Sequence, residues 1–495
     1  MEVRYKSTRN AAVSVTASEA VLQGLSEDGG LFVPDDIPKL DVTLESLVGK
    51  NYQEIAYEVM KLFLSDYTEE ELKHCIKSAY DEKFDTKEIA PLKEVDGVHY
   101  LELFHGPTIA FKDMALSILP HLLTTAAKKQ NKKEKIIILT ATSGDTGKAA
   151  LAGFADVPGT GIIVFYPKDG VSRIQEKQMV TQTGDNTDVV AIYGNFDDAQ
   201  NGVKEIFGDK ALAARMKEQG YQFSSANSIN IGRLVPQVVY YVYAYVTLAA
   251  QGKLVVGEPM NVVVPTGNFG NILAAYYAKQ MGVPVKKLIC ASNENKVLYD
   301  FFRTGVYDKN REFVLTSSPS MDILISSNLE RLIYACTGED AKKNAALMAS
   351  LKETGRYEIT EEMKERMADF VGGFATQEQT AEVIRTVYEK SGYVMDTHTA
   401  VAAKVFYQYK EETKDDTVTV IASTASPYKF TRSVMEAVEG RDEEDDFLLV
   451  DRLNEISGVP VPKAIEEIRN APVRHTLVCG KDKMQETVTA ILKLK

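Results

Sequence analysis

Short β-branched runs alternate with helical patterns along this chain, and each run opens into a polar loop, four of the six carrying glycine. The runs are Lys135–Leu139, Gly161–Phe165, Asp188–Tyr193, Asn261–Val264, Lys287–Ala291 and Thr417–Ile421. Nearly continuous apolar strands separated by helices belong in a parallel sheet covered on both faces, which makes the fold class α/β. The segments that follow them read TATSGDTG, YPKDGVSR, GNFDD, PTGNFGN, SNENK and STASPYK. In open α/β sheets a ligand sits outside the carboxyl ends of the strands, where this polar content has collected. Ordinary turns also use Gly, Asn and Ser, so one such loop proves little; the set of them favours a site.

Ahead of the strands, residues 1 to about 95 read as a mostly helical unit. Gln53–Phe63 and Glu69–Ala79 carry apolar residues at helical spacing, and Leu31–Pro34 reads as a short strand ended by proline. The lysine-rich Lys128–Lys135 stretch reads as the solvated end of a helix. Tyr240–Tyr245 reads as a packed core helix, not as a platform for stacking bases, which would want a basic surround. The stretch from about Asp442, with EEDDF, a strand-like His475–Cys479 and a last helix, receives no catalytic role. There is no internal repeat and no low-complexity segment.

The balance of 57 Lys plus Arg against 70 Asp plus Glu gives a net charge of −13, which argues against nucleic acid and anionic membranes as partners. Cys75, Cys290, Cys336 and Cys479 form no Cys-x-x-Cys pair and no Cys/His cluster, so free thiols in a reducing compartment and no metal site are expected. The opening MEVRYKSTRN has neither the apolar region of a signal peptide nor the character of a transit peptide. Val235–Ala250, broken by Pro236 and Gln237, falls short of the ~20 apolar residues of a membrane span. A cytoplasmic protein is expected.

Three loops carry the chemistry. Val264-Pro265-Thr266-Gly267-Asn268-Phe269-Gly270-Asn271 leads from a strand into an apolar helix, an arrangement that offers backbone N–H groups and a helix N-terminus to a phosphate. A plain tight turn reads equally well from that segment alone, and the third glycine of a dinucleotide fingerprint is missing. Thr142-Ser143-Gly144-Asp145-Thr146-Gly147-Lys148-Ala149 fails as a P-loop: Thr142 stands where the first glycine belongs, and Ala149 replaces the magnesium-binding hydroxyl. It remains a loop able to hold a carboxylate, and no Gly-x-Ser-x-Gly elbow accompanies it. In Phe104-His105-Gly106-Pro107-Thr108-Ile109-Ala110-Phe111-Lys112-Asp113, a lysine set among aromatic, Gly and Pro residues suits a Schiff-base lysine, although most lysines are exposed charges.

Taken in order, LFHGPTIAFKD, TATSGDTGKAA, SANSINIGRLVPQ, VPTGNFGNI and STASPYKF resemble the threonine synthase family of fold-type II pyridoxal-phosphate enzymes. The resemblance covers nearly the whole chain, including the opening EAVLQGLSEDGGLFVPDDIP, and points to the longer bacterial and fungal-type form. It implies a two-subdomain parallel-sheet core like that of the tryptophan synthase β chain, with an additional N-terminal domain. The expected boundaries are 1–95 for the N-terminal domain, 96–440 for the catalytic core and 441–495 for a C-terminal extension.

By the same resemblance, Lys112 holds pyridoxal 5′-phosphate and moves protons. Gly267, Asn268, Phe269, Gly270 and Asn271 bind the cofactor phosphate, and Thr424 faces the pyridine nitrogen. Asp145 stands beside the ring hydroxyl, where many relatives carry Asn. An ionised Asp cannot itself face an anion, so backbone N–H groups with Ser143 and Thr146 are expected to hold the substrate carboxylate. Asn227, Ser228 and Arg233 resemble the clamp for the substrate phosphate, which suits the planar fork of arginine. Lys168, with Ser172 and Arg173, adds charge there or lies on a solvated loop. His105 is expected to touch cofactor or backbone, and the other histidines show no ligand spacing.

The implied reaction converts O-phospho-L-homoserine and water to L-threonine and phosphate, the last step of threonine biosynthesis, with no obligate protein partner. The alternatives are a phospho-lyase acting on the same substrate, a serine/threonine dehydratase of the same fold, and a catalytically silent cofactor- or metabolite-binding protein. The phosphate clamp argues against free serine, and Lys112 argues against the silent form.

Overall fold

The computed structural model describes residues 2–441 and 445–494; Asp442, Glu443 and Glu444 of the acidic stretch lie outside them. The strands are β1 (Tyr5–Ser7), β2 (Asn10–Val15), β3 (Phe32–Pro34), β4 (Leu92–Val95), β5 (Val98–Glu102), β6 (Lys135–Ala141), β7 (Thr160–Pro167), β8 (Thr187–Tyr193), β9 (Tyr221–Ser224), β10 (Met260–Pro265), β11 (Val285–Ser292), β12 (Val306–Asp308), β13 (Arg356–Glu358), β14 (Phe370–Phe374), β15 (Thr419–Ser423) and β16 (Leu477–Gly480). All the strands expected from the apolar runs form, as β6, β7, β8, β10, β11 and β15.

They divide between two sheets. One has five strands in the order β16-β8-β7-β6-β9, all parallel. The other has six in the order β14-β11-β10-β15-β5-β4, parallel except for the β4–β5 pair. The chain builds β4 and β5 in the six-stranded sheet, leaves to build β6–β9, and returns with β10. This is the two-subdomain, interleaved core that the resemblance implies. β7 is buried along its whole length because it lies between β6 and β8 with both faces covered.

The N-terminal unit is less helical than its sequence suggests. Its Tyr52–Phe63 and Glu69–Ala79 helices form, each started by a reciprocal capping box at Asn51 and Thr68. Beside them lies a three-stranded antiparallel sheet, β2-β1-β3, two strands of which the helical reading passes over. The β4–β5 hairpin is also missing from that reading. It turns on Asp96 and Gly97, both with positive φ (51° and 77°), the two-residue turn that matches strand twist.

The Ile231–Ala250 helix is the central beam and is buried on nearly every face. Its tyrosines pack in the core with satisfied tips: Tyr240 Oη donates to Gln237 Oε1 at 3.0 Å, Tyr241 Oη to Asn271 Oδ1, and Tyr245 Oη to the Glu258 carbonyl at 2.8 Å. Pro236 inside this helix removes one ladder donor, and the Gln237 side chain donates to the Arg233 carbonyl at 2.8 Å one turn back. Among the described residues, no helix is long and apolar enough to cross a membrane.

Candidate active site

The loop after β5 is built to present one lysine. Asp113 accepts from the Thr108 N–H (2.8 Å) and the Thr108 hydroxyl (2.5 Å), closing the turn that precedes Lys112. A Cβ on Gly106 would stand 2.5 Å from Asp113 Cβ, so the turn needs glycine there. Ile109 has φ 54°, a left-handed conformation unusual for a β-branched residue, three positions before the lysine. The following residues pair antiparallel with the loop after β15: Phe111 N–H donates to the Thr424 carbonyl (2.8 Å), and Ser426 N–H to the Ile109 carbonyl (3.0 Å). Lys112 and Thr424 are thus held together by backbone.

Lys112 Nζ is buried, 3.3 Å from Asp145 Oδ2 and 3.2 Å from Ser320 Oγ. Burial pulls its pKa below the ordinary lysine value; Asp145 opposes that shift, and Lys429 and Arg233 add to it. Asp145 opens the helix after β6 and is 4% exposed. Its Oδ2 also accepts from Ser320 Oγ (3.0 Å), while Oδ1 accepts from Gln175 Nε2 (2.9 Å) and lies 3.4 Å from Lys429 Nζ. Burial alone would raise this carboxyl, but Lys429, Lys112 and the Gln175 hydrogen bond hold it far below the carboxylate range. It is a fixed anion between two buried ammonium groups.

The glycine loop after β10 lies against the same group. A Cβ on Gly267 would stand 2.4 Å from the Ser320 carbonyl, so only glycine lets the two segments approach this closely. Phe269 takes φ 65° and begins the Gly270–Met281 helix, whose ladder starts with Leu273 N–H to the Phe269 carbonyl at 3.0 Å. The N–H groups before Leu273 therefore point out of the helix end. The Phe269 ring stacks on Phe302 and Phe370 at 6.1 and 5.8 Å, so it anchors the loop through its side chain and offers a ligand only backbone. Asn271 Nδ2 is buried without a hydrogen-bond partner.

A second anion-seeking group comes from the NSINIGR segment. Arg233 is 3% exposed; its Nη1 donates to the Ala226 carbonyl (2.9 Å), and its Nε is buried without a partner. No carboxylate pairs with it among the described residues, and burial pulls its pKa down to about 10. Asn227 is exposed and Ser228 half-buried. The neighbouring Asn230 does not join them: it caps the helix through the Gly232 N–H (2.9 Å) and donates to the Val21 carbonyl (3.0 Å).

Several expected residues serve elsewhere. Both ring nitrogens of His105 are taken by carboxylates, Nδ1 by Asp85 (2.5 Å) and Nε2 by Glu102 (3.0 Å), so it does not face a cofactor. Lys168 is exposed, with its Nζ 5.0 Å from the centre of the Tyr193 ring, and it has no contact with the Lys112 group. Ser172 is the cap of the Arg173–Val180 helix. Asn195 in GNFDD likewise caps a helix. In the SGDTG loop the Thr142 hydroxyl accepts the N–H groups of Gly144 and Gly147, both at 2.9 Å. The N–H groups of Ser143, Asp145 and Thr146, with the half-buried Ser143 and Thr146 hydroxyls, are the ones left to the mouth of the site.

Other residues reach the site unannounced. Lys429 is buried and donates to the Thr108 carbonyl (2.9 Å) and Gln178 Oε1 (3.3 Å). It belongs to the STASPYKF motif, where its place beside Thr424 was the available signal. Ser320 comes from a segment with no motif; its N–H donates to His398 Nε2 (3.2 Å), whose Nδ1 bonds to Asp396 (2.8 Å). That pair sets the histidine as the Nδ1–H tautomer. The SNENK loop supports this segment from below, through Asn293 Nδ2 to Asp322 Oδ1 (2.7 Å) and Asn295 Nδ2 to the Val314 carbonyl (2.7 Å).

The donor set suits a phosphorylated aldehyde cofactor. A buried lysine of lowered pKa stands beside a helix start with free N–H groups and the unpartnered Asn271 amide.

Comparison with known proteins agrees. Family models described as "Threonine synthase N terminus", "Pyridoxal-phosphate dependent enzyme" and "Threonine synthase, C-terminal" match residues 4–80, 87–424 and 399–486. Threonine synthase of Schizosaccharomyces pombe is 38% identical over 465 residues, which cover 88% of this chain and 89% of that one. Human threonine synthase-like 1 is 41% identical over 435 residues, 85% of this chain; the chain spans 58% of that longer relative. The crystal structure of pyridoxal-phosphate-bound threonine synthase from Brucella melitensis superposes with a TM-score of 0.87 at 34% identity, over 99% of both chains.

Proposed function

The chain belongs to the threonine synthase family of pyridoxal-phosphate-dependent enzymes, and we propose that it converts O-phospho-L-homoserine and water to L-threonine and phosphate in the cytoplasm. The observation that carries this reading is Arg233. A guanidinium buried without a carboxylate, its Nε unpartnered and its charge felt by Lys112, is costly unless an anion completes it. With the helix start after β10, Arg233 supports a reading with two phosphate pockets near one buried amine. A substrate with one phosphate and one amino-acid head fits that plan.

The bound cofactor supplies an electron sink for the charge left when a substrate α-proton is removed. The rest falls to the chain. The N–H groups of Gly270 and Asn271, with the Asn271 amide, hold the cofactor phosphate, and Thr424 faces the ring nitrogen. Ser143 and Thr146 with their backbone N–H groups hold the substrate carboxylate. Asn227, Ser228 and Arg233 hold the phosphate that leaves from the γ-carbon. Lys112 takes the α-proton and then the β-proton; after phosphate has left, one proton goes to the γ-carbon, which becomes the methyl group, and once water has added at the β-carbon Lys112 returns a proton to the α-carbon. Burial lowers its pKa, which eases loss of its proton relative to an exposed lysine. Asp145 and Ser320 fix the position of Nζ, and the fixed carboxylate offers its lysine partners a charge that needs no reorganisation.

Incubation of the cofactor-loaded chain with O-phospho-L-homoserine, scored for threonine against 2-oxobutanoate, tests this reading. Threonine with equimolar phosphate is expected. Release of 2-oxobutanoate as the main product would identify a phospho-lyase instead.

A further inference from the structure

The segment Pro319–Arg331 crosses from the Lys112 group to the N-terminal unit and touches both anion-seeking loops on the way. Over Gly267, the Ser320 carbonyl closes the space of a side chain, and Ser326 Oγ donates to the Gly267 carbonyl at 2.6 Å. Asn328, fully buried, then joins the two loops. Its N–H and its Nδ2 both donate to the Asn268 carbonyl, each at 3.0 Å, and Nδ2 also donates to Ser228 Oγ at 3.3 Å. Its Oδ1 accepts from Arg331 Nη1, which fixes which way the amide points.

Arg331 is itself fully buried. Nη2 donates to the Ile229 carbonyl (2.6 Å) in the phosphate-clamp loop, and Nε to the Phe32 carbonyl (2.9 Å) in β3. The next residue back, Glu330, takes Arg9 in a two-pronged pair at 2.9 and 2.7 Å and the Thr8 hydroxyl at 2.6 Å. Asn328 and Arg331 therefore grip the clamp loop at Ser228 and Ile229, the glycine loop at Asn268, and the N-terminal sheet at Phe32. A shift of either loop must break or stretch a bond on one buried amide, and such a bond leaves an unpaired polar group in the interior.

We propose that Asn328 is a positioning residue that couples the two phosphate pockets: filling one pre-orders the other. This rests on the assignment of the pockets under the proposed function. A first ligand that fixes the shared amide removes part of the ordering cost of the second, which is positive coupling without any large movement. The second pocket then takes phosphate more tightly in a chain that already holds its cofactor.

The test uses the full chain loaded with pyridoxal phosphate, and inorganic phosphate as the probe of the second pocket. Release of the cofactor into a trap is followed by visible absorbance, with and without saturating phosphate. In the unmodified chain phosphate should slow release about fivefold or more, the low end of ordinary coupling factors. Asn328→Asp keeps the acceptor for Arg331 and loses the donor shared by Ser228 and Asn268; its release rate should be the same with and without phosphate. Its KM for substrate should rise with little change in kcat. Ser326→Ala loosens the glycine loop without touching the clamp, so it should release cofactor faster yet keep the phosphate effect. Coupling is overturned if phosphate leaves release from the unmodified chain unchanged, or if Asn328→Asp keeps the full effect. Loss of the effect in Ser326→Ala as well would overturn the assignment to Asn328. A chain that takes up no cofactor fails the proposed function itself, a result distinct from all of these.

Discussion

Asp145 turns one carboxylate oxygen to Lys112 at 3.3 Å and the other to Lys429 at 3.4 Å, so a single buried anion serves two buried ammonium groups. Asp145→Asn leaves both without their counter-charge. The cofactor-free variant should lose about 3–5 kcal/mol of stability at pH 7, the usual consequence of removing one partner of a buried pair. The folded-state pKa is depressed, so this contribution is complete above the ordinary value of 3.8 and fades as pH falls below it. Urea unfolding of both proteins at pH 7 and pH 3 checks this: the gap should narrow at pH 3.

Lys429→Met acts on the other side of that carboxylate. Lys112 is held low first by burial and further by Lys429, so removing Lys429 lets the Lys112 pKa rise. Capture of pyridoxal phosphate by the cofactor-free chain requires the neutral amine. The midpoint of uptake rate against pH should therefore move to higher pH, as followed by stopped-flow absorbance. A shift to lower pH would contradict the electrostatic account.

Arg233→Met should move stability and function in opposite directions. Without ligand, the guanidinium is a buried charge with no carboxylate partner, and an apolar side chain of similar length should raise the unfolding free energy by about 1 kcal/mol. Loss of the charge-assisted contact should raise KM for O-phospho-L-homoserine by about 10- to 100-fold. Uptake of the cofactor should survive. Thermal unfolding and initial-rate kinetics on the same preparation give both answers.

Gly267→Ala puts a Cβ 2.4 Å from the Ser320 carbonyl, an atom of backbone that cannot swing aside. The loops must separate, at about 1–3 kcal/mol. The expected result is weaker retention of cofactor on dialysis together with a lower melting temperature.

His105→Asn concerns stability alone. Burial would lower this imidazole, but hydrogen bonds to Asp85 and Glu102 carry it up to about 9. Its contribution is complete below pH 6.5 and lost as pH rises through 9. The difference in unfolding free energy from the variant should be about 2 kcal/mol at pH 6, after allowing for screening at the exposed Asp85, and small at pH 10.

The parallel core was legible because buried strands announce themselves: Lys135–Ala141 and Thr160–Pro167 are apolar on both faces and could be little else. β1 and β2 were not: β1 has three residues, YKS, and β2, NAAVSV, is mostly exposed, so neither carries much apolar signal. The Asp96-Gly97 dipeptide is a readable sign of the β4–β5 hairpin. Within the site, lysine and glycine loops could be read because their chemistry demands special residues. Ser320, Asn328 and Arg331 could not, because serine, asparagine and arginine are surface residues by habit and only the fold buries them. Lys168 is the converse case: a lysine at a strand end, two residues before Gly170, reads the same whether it meets a ligand or water, and here it is exposed with its Nζ over the Tyr193 ring.

The strand that forms one edge of the five-stranded sheet, β16, is the last strand among the described residues. Until Leu477–Gly480 has left the ribosome, β8 presents an open row of backbone donors and acceptors from Val190 to Tyr193. Such an edge is a template for pairing with another chain. The nascent protein, with most of its catalytic loops already made, must wait for Leu477–Gly480 before β8 is paired on that side. Crowding, slow termination or a premature stop near residue 470 would each lengthen the exposure and favour intermolecular sheet growth over folding.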